Sequence, residues 1–494
     1  MKYIVCFLLG GLYTLSFSPY NIGILSFLSI ILFLFFIDFD NIKPSIYKSL
    51  SYSLGYFSIG TYWLYNVIVN YADVGNILAI ILVILFTIYL SLFFVIPMMV
   101  TIFIHHKISI NKNYSLILLS IMISIFEIIR AHLFTGYSWL NFGQSALYTP
   151  LDYYFPVFGV HGLTFIIFLI SIIIINIFKN KDRVFFFVLG ISLIISYLGV
   201  YKKNWTHESG DLINISVIQP NIKNKKFLVK EDIDNRMNML KNMTLLATKN
   251  SPDIILWPEA PLPVFYNDLE KNYYQDIVKT ISKSTSLLTG SFYKNNNNIY
   301  NSIINISEKS NNIYSKSHLV PFGEFLPFRK KFSDVYKALG VNTYDITRGD
   351  NSGALNIRSF IAHPLICYES IFSTESLVLN ENADFILNVS NDGWFGDTLA
   401  PYQHLDALVM RSLENQRYSV RSTNTGISAI ISHEGIIEDY VKFNKTGIIN
   451  SRIISRNGNT PLSKYGYEII YFLFFIVFLY STIYFNINIF RRLY

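Results

Sequence analysis

Long uncharged apolar runs crowd the first 200 residues of this chain, and no other feature limits its possible folds as strongly. Seven runs lie there: Tyr3 to Phe17, Ile22 to Ile37, Ser51 to Val69, Ile77 to Ile104, Tyr114 to Ile129, Pro156 to Ile177 and Val184 to Tyr201. An eighth spans Ile469 to Ile489. Each is long enough, or nearly so, to cross about 30 Å of hydrocarbon as a helix. A signal peptide would account for the first run only. A single short run can equally be a buried core helix, but about eight together argue for a membrane α-helical bundle. Composition agrees: 52% of the 494 residues are hydrophobic and 15% charged, too apolar a balance for a soluble enzyme of this length.

Lysine and arginine placement gives an orientation, because short cytoplasmic loops retain positive charge. Lys2, Lys43 with Lys48, Lys107 with Lys112, Lys179 with Lys181 and Arg183, and Arg491 with Arg492 mark one side. Pro19 to Asn21 and Asn70 to Gly75, on the other side, carry no basic residue. With both ends inside, the charged stretch after the seventh run lies outside. The expected organisation is therefore transmembrane helices over 1–201, a linker over 202–213, an extracytoplasmic domain over 214–456 and a last transmembrane helix over 468–490. A domain tethered at both ends gains proximity to lipid rather than to a soluble substrate. The net charge of +7 comes partly from the flanking residues, which would meet anionic headgroups. No clustered basic face or nucleic-acid motif accompanies it, so nucleic acid is not an expected partner.

From Asn214 onward, short β-branched runs alternate with helical patterns, an α/β rhythm. Strands are predicted at Ile215 to Gln219, Asp253 to Trp257, Leu287 to Tyr293, Ile299 to Ile306 and Ile313 to Ser317. Others are predicted at Ile357 to Ile366, Phe385 to Val389, Ser419 to Ser422 and Ser428 to Ser432. Helices are expected near Asp232 to Lys249 and Tyr402 to Gln416, and Asn295 to Asn298 reads as a polar hairpin loop.

Three segments place a reactive side chain at the end of an apolar strand: Glu259 after Trp257-Pro258, Lys316 after Tyr314-Ser315, and Cys367 after Ile366. Strand ends are where side chains of an α/β fold converge on a site. Separately, each residue has a plain structural reading: Glu259 as an acid opening a helix, Lys316 as a solvated strand residue, Cys367 as core. Cys6 lies in the first apolar run, so a disulfide with Cys367 is geometrically implausible. Histidine is the usual base for cysteine, and His363 lies four residues before Cys367. In a strand that separation is about 13 Å, beyond hydrogen-bond reach. Glu259 could serve instead, but a carboxylate near ~4.3 is a poor base for a thiol near ~8.5. Burial would raise the carboxylate, and a nearby ammonium would lower the thiol and later stabilise a carbonyl oxyanion. Lys316 fits that second role.

These residues also carry a resemblance. Trp257-Pro258-Glu259, Lys316 with Pro321-Phe322-Gly323-Glu324, and Cys367-Tyr368-Glu369 look like the Glu, Lys, Cys constellation of the nitrilase superfamily. Gly60-Thr61-Tyr62-Trp63-Leu64-Tyr65 and Phe134-Thr135-Gly136-Tyr137-Ser138-Trp139-Leu140 narrow it, as do Asn388 to Gly396, Arg411 to Glu414 and Thr423-Asn424-Thr425-Gly426. Over nearly its full length the chain resembles the apolipoprotein N-acyltransferase family. That resemblance implies an αββα sandwich outside the cytoplasmic (inner) membrane of a bacterium, on its periplasmic face. It implies Glu259 as general base, Lys316 as oxyanion partner and Cys367 as nucleophile. It further implies that Glu324 orients Lys316, that Tyr368 and Glu369 support the nucleophile, and that Trp394 stands near the entrance. Where the family often has Lys-Trp, this chain has Lys226-Phe227, so Phe227 would replace the substrate-contacting aromatic.

The implied reaction is ping-pong acyl transfer, in which Cys367 takes a fatty acyl group from a phospholipid as a thioester. The N-terminal amine of a diacylglyceryl-cysteine on an apolipoprotein then accepts it. No metal or cofactor is expected, since neither a zinc spacing nor a phosphate loop occurs. Phe325, Leu326, Phe328 and Phe332 beside Arg329, Lys330 and Lys331 could form an arm dipping into headgroups, or an ordinary loop whose aromatics pack on the domain. Glu127 and Arg130 could pair structurally or contact a headgroup. The competing functions are a membrane-anchored nitrilase-type amidase and a non-catalytic lipid-binding or transport protein.

Overall fold

The computed structural model of the chain describes every residue except 72–74, 180–181, 224–228, 263, 270–272, 308–312, 339–344, 351–352, 378–382 and 486–494. Lys181, Lys226, Phe227, Arg491, Arg492 and the end of the last apolar run therefore lie outside the described residues. The chain divides into two compact units, Met1–Asn204 with the segment from Lys464, and Trp205–Ser463.

The first unit is helical. Among the described residues, four helices are long and apolar enough to cross a membrane: Asn76–Ile108, Lys112–Arg130, Pro150–Ile177 and Arg183–Val200. Lys2–Ser16, Ile24–Phe36 and Glu468–Tyr484 are apolar but shorter. The α-helical part of the first is 12 residues, about 18 Å at 1.5 Å per residue, well under a hydrocarbon thickness. The third predicted span is displaced. Its helix is Ile42–Gly60, followed by a break and a second helix, Leu64–Tyr71, so Lys43 and Lys48 belong to the helix rather than to a loop. Lys48 Nζ donates to the Phe36 carbonyl at 2.6 Å, capping the end of the preceding helix. Gly10 and Gly55 let the first and third helices touch backbone to backbone. A Cβ on Gly10 would lie 1.9 Å from Tyr52 O, and one on Gly55 the same distance from Phe7 O.

Glu127 and Arg130 are both buried and paired, with Arg130 NH2 at 3.5 Å from Glu127 Oε1. Arg130 donates to the Trp139 and Leu140 carbonyls and to Asn141 Oδ1. Glu127 Oε1 accepts from Phe142 N, and Oε2 accepts from the Thr164 hydroxyl. Of the two sequence alternatives, the structural pairing is the one present. It pins the 139–142 segment against the Lys112–Arg130 helix.

Among the described residues the second unit has twelve strands: β1 (His207–Gln219), β2 (Ile254–Leu256), β3 (Ser286–Asn295), β4 (Asn298–Asn305), β5 (Ile313–Ser315), β6 (Leu355–Ile357), β7 (Phe360–Ile366), β8 (Phe385–Ser390), β9 (Ser419–Thr423), β10 (Ser428–Ile431), β11 (Ile437–Val441) and β12 (Gly447–Asn457). They form two six-stranded sheets, ordered β12-β1-β2-β3-β4-β5 and β11-β10-β9-β8-β7-β6. Ile213, Ile215 and Val217 of β1 face the second sheet and meet Ile366, Leu387, Val389 and Val420 in one apolar core. Ile218, Ile255 and Leu287, of opposite parity, face outward onto Leu240, Met243 and Ala247 of helix Lys230–Thr248. Helix Ala400–Asn415, buried along its length, covers the second sheet, giving a helix-sheet-sheet-helix sandwich.

Three expectations are corrected here. The linker placed at 202–213 is strand from His207 onward, because β1 pairs antiparallel with β12 as far as His207 opposite Asn457. The strand expected over Ile357 to Ile366 is a hairpin, folded at Arg358, whose φ of 57° reverses the chain so that Ile357 pairs with Phe360. Neither Gly nor Asn marks that turn. β11 and β12 were not anticipated, since their polar, mostly half-exposed residues lack clean alternation.

Candidate active site

Glu259, Lys316 and Cys367 follow the last residues of β2, β5 and β7 respectively. The chain after β2 stays bound to β3: Gly290 N donates to Pro258 O and Ala260 N to Gly290 O, each at 3.1 Å. A Cβ on Gly290 would lie 2.5 Å from Glu259 Cα, so glycine is required for this approach. Trp257, fully buried, anchors the same turn through Nε1 to Thr244 Oγ1 at 3.0 Å.

Lys316 N donates to Asn301 O on β4, and its ammonium meets both Glu324 oxygens at 2.9 Å. Glu324 Oε2 in turn accepts from Val320 N at 2.8 Å, which orients the carboxylate. Asn301 bridges the two acids: its Nδ2 donates to Glu259 Oε1 at 2.7 Å and to Glu324 Oε1 at 3.1 Å. Glu259 Oε2 is buried and bonded by no N–H or O–H donor, and the Cys367 thiol acts on the carboxyl as a hydrogen-bonding side chain. A buried carboxylate oxygen left open in this way calls for a reason.

Cys367 has φ of 50°, a left-handed conformation rare for a residue with a side chain, and it opens the 3-10 turn Cys367–Ile371. The strand thus ends in a sharp elbow that presents the thiol. Glu369 holds the elbow. Its Oε2 accepts from Ile366 N at 2.7 Å, while Oε1 accepts from Ser317 N, His318 N, Ser317 Oγ and Tyr314 Oη. The cysteine and lysine segments are therefore tied through one fully buried carboxylate. Tyr368 packs its ring against Phe372 and His318.

The electrostatics follow from burial and three charges. Burial raises the Glu259 carboxyl above its ordinary value and Glu324 adds to the rise, against the opposing pull of Lys316. Burial works against the Lys316 ammonium, but Glu324 and then Glu259 outweigh it, and its pKa lies above that of an ordinary lysine. Burial and Glu259 push the Cys367 thiol up, and Lys316 only partly offsets them. The ammonium acts on the thiol in the expected direction, but burial and Glu259 outweigh it. A thiol raised in this way needs a base beside it to lose its proton.

His363 is buried on β7, with Nε2 3.1 Å from Glu375 O and its pKa lowered by burial to about 4. It is no partner of Cys367. Trp394 stands 45% exposed on the 3-10 turn Asp392–Phe395. Phe322 and Phe328 are 66% and 65% exposed, whereas Leu326 is buried. Two groups escaped the sequence reading. Asn301 lies in a strand whose neighbours are ordinary apolar and small residues. The buried set Asp392, His404 and Arg421 meets the cysteine elbow from behind, with His404 Nε2 3.0 Å from Cys367 O.

A family model described as the apolipoprotein N-acyltransferase N-terminal domain matches residues 9–173, and one described as carbon-nitrogen hydrolase matches residues 214–455. The apolipoprotein N-acyltransferase of Wigglesworthia glossinidia brevipalpis is 31% identical over 482 residues, 94% of this chain and 94% of that one. That of Haemophilus ducreyi is 27% identical over 96% of this chain and 95% of its own length. Among solved structures, a CN-hydrolase superfamily protein from Xanthomonas campestris is 14% identical, with a TM-score of 0.37, over 49% of this chain and 91% of its own.

Proposed function

The chain belongs to the apolipoprotein N-acyltransferase family, and on that premise we propose that Glu259, Lys316 and Cys367 carry out its acyl transfer, with a phospholipid as donor. Family membership makes the chain an N-acyltransferase of lipoprotein maturation with a carbon-nitrogen hydrolase domain, associated with a membrane through apolar helices. The remainder is our reading of the geometry.

In the first half-reaction, Glu259 takes the Sγ proton as Cys367 attacks the ester carbonyl carbon of the phospholipid. A carbon-sulfur bond forms, and the negative charge on the carbonyl oxygen faces the Lys316 ammonium, which Glu324 holds in place. Collapse breaks the acyl carbon-oxygen bond, and Glu259 returns the proton to the leaving glycerol oxygen. Lysophospholipid departs and the thioester remains. In the second half-reaction, the α-amine of diacylglyceryl-cysteine attacks the thioester. The carbon-nitrogen bond forms, the carbon-sulfur bond breaks, and Glu259 moves the amine proton to sulfur. The raised pKa of Glu259 makes it a better proton acceptor in both half-reactions than an ordinary carboxylate.

One observation carries this reading: a buried carboxylate, a buried ammonium and a thiol on a left-handed elbow stand at the ends of three strands and act on one another electrostatically, and the thiol hydrogen-bonds the carboxylate. Glu324 and Glu369 act as holders of Lys316 and of the elbow, Tyr368 as packing beside the thiol, and Trp394 as an exposed contact for incoming substrate. The exposed Phe322 and Phe328 beside Arg329 and Lys330 are read as a headgroup-facing arm. The bias of basic residues toward one side of the apolar runs supports reading the active domain as lying on the periplasmic face of the inner membrane, beside the four long and three shorter apolar helices. The amidase alternative would use the same three residues with water as acceptor, but the match over 9–173 belongs to the acyltransferase.

The test is intact-mass analysis of the full chain in detergent or lipid after incubation with a defined phospholipid, beside Cys367→Ala. A hydroxylamine-labile acyl adduct on the wild type alone is the expected result. No adduct on a folded wild type would overturn the mechanism.

A further inference from the structure

The thiol elbow at Cys367 needs a hold from outside itself. A residue with a side chain enters φ of 50° only against a steric penalty, and persists there when its surroundings fix it. Two groups approach the Cys367 carbonyl: Ser370 Oγ at 2.9 Å and His404 Nε2 at 3.0 Å. Ser370 belongs to the same short turn and moves with it. His404 lies on helix Ala400–Asn415, 37 residues away in sequence, and is fully buried.

His404 is itself held by a chain of buried groups. Asp392 Oδ1 lies 2.8 Å from His404 Nδ1 and accepts from Ser390 Oγ at 2.9 Å. Asp392 Oδ2 accepts from Arg421 NH2 at 2.8 Å, and Arg421 NH1 donates to Asn388 Oδ1 at 2.6 Å. Asn388 Nδ2 closes the chain by donating to Leu365 O, two residues before the elbow. The network thus runs from β9 through β8 to β7 and returns through His404 to the elbow.

We propose that His404 is a positioning residue for acyl transfer, which donates Nε2–H to the Cys367 carbonyl and thereby fixes the left-handed turn that presents the thiol to its base and to the acyl carbon. The proposal rests on the acyltransferase reading. Nε2 carries a proton both in the neutral Nε2–H tautomer and in the imidazolium, so the contact persists in either state. In the imidazolium, Nδ1–H meets Asp392 Oδ1 at 2.8 Å while Nε2–H meets the Cys367 carbonyl; in the neutral Nε2–H tautomer, Nδ1 can accept only from Arg421 NH2, 3.2 Å away. Burial and Arg421 lower the imidazole's pKa, against the opposing pull of Asp392. With the Nδ1–H tautomer, by contrast, two lone pairs would face each other across the 3.0 Å contact.

The test compares His404→Gln, whose amide nitrogen can reproduce the Nε2 donor, with His404→Leu, which cannot. Single-turnover formation of the acyl-cysteine is followed by intact mass over a range of phospholipid concentrations, beside thermal melting of each variant in detergent. The expected result is that His404→Leu slows the saturated acylation step roughly tenfold to a hundredfold with the half-saturating phospholipid concentration unchanged. His404→Gln stays within about fivefold of the wild type. Wild-type acylation by a folded His404→Leu overturns the proposal, and so does an equal loss in both folded variants. If His404→Leu does not fold, His404→Gln decides: near-wild-type acylation supports the donor role, and a tenfold loss at unchanged melting overturns it. A wild type that forms no adduct is a failure of the acyltransferase reading, distinguishable from every outcome in which the wild type acylates.

Discussion

The helical unit and the sandwich unit each bury a glutamate beside a cation, and they treat the carboxylate in opposite ways. In the helical unit, Glu127 has both oxygens engaged, by Phe142 N and by Thr164, and Arg130 divides its donors among Trp139, Leu140 and Asn141. In the sandwich, Glu259 has Asn301 on one oxygen and no N–H or O–H donor on the other, with the Cys367 thiol as its remaining hydrogen-bonding side chain, while Lys316 is committed to Glu324. A fully satisfied buried network specifies a shape, and an incomplete one costs stability unless the open atom has work to do. The oxygen left without an N–H or O–H donor is therefore the sign that separates the carboxylate proposed for chemistry from the structural one, in two clusters that each set a buried glutamate beside a cation.

The largest effect that tests this contrast is on the chemical side. Lys316→Met should slow thioester formation by roughly 10²–10³-fold, the usual cost of removing a donor from a developing oxyanion. Acylation within tenfold of the wild type would remove Lys316 from the mechanism and leave the contrast without its chemical half. On the structural side, Thr164→Val deprives a buried carboxylate of a donor. It should lower stability by about 2 kcal/mol, read as a lower melting temperature in detergent, with acylation per folded molecule unchanged. A Thr164→Val protein that melts like the wild type would show that the helical network is not the fixed scaffold described here.

The sequence exposed these two clusters unequally. Glu259, Lys316 and Cys367 were legible because each closes an apolar strand, and strand ends converge whatever the details of packing. Glu127 and Arg130 could not be assigned from the sequence, because pairing inside a helical unit and contact with a headgroup use the same residues at the same spacing. The hairpin at Arg358 was hidden because its left-handed turn is made without Gly or Asn. The net direction of the thiol's shift was hidden for a different reason. The ammonium is present, but burial and Glu259 outweigh it, and that balance depends on distances that no spacing encodes. Asn301 and His404 were missed because their function is to touch other side chains across the fold, Asn301 from β4 and His404 from the helix after β8.

Asn301 offers the smallest effect and the finest test, because it acts on Glu259 through a single hydrogen bond that stabilises the ionised form. Glu259 must be ionised to accept the thiol proton, so acylation should fail as pH drops through its pKa, on an acid limb lying above the ordinary carboxylate value of 4.5. Asn301→Leu removes a donor that favours the charged form, while burial and Glu324 still oppose it. The pKa therefore rises further and the acid limb moves to higher pH. A shift of one unit would cost about tenfold in rate on that limb, or about 1.4 kcal/mol, and little on the alkaline side. Single-turnover acylation measured across pH separates this from a loss of structure, which would lower the rate at all pH values alike. A limb that stays in place, or moves to lower pH, would mean that a carboxylate other than Glu259 takes the proton. Thr164→Val should leave the same profile unmoved, since Glu127 takes part in no proton transfer.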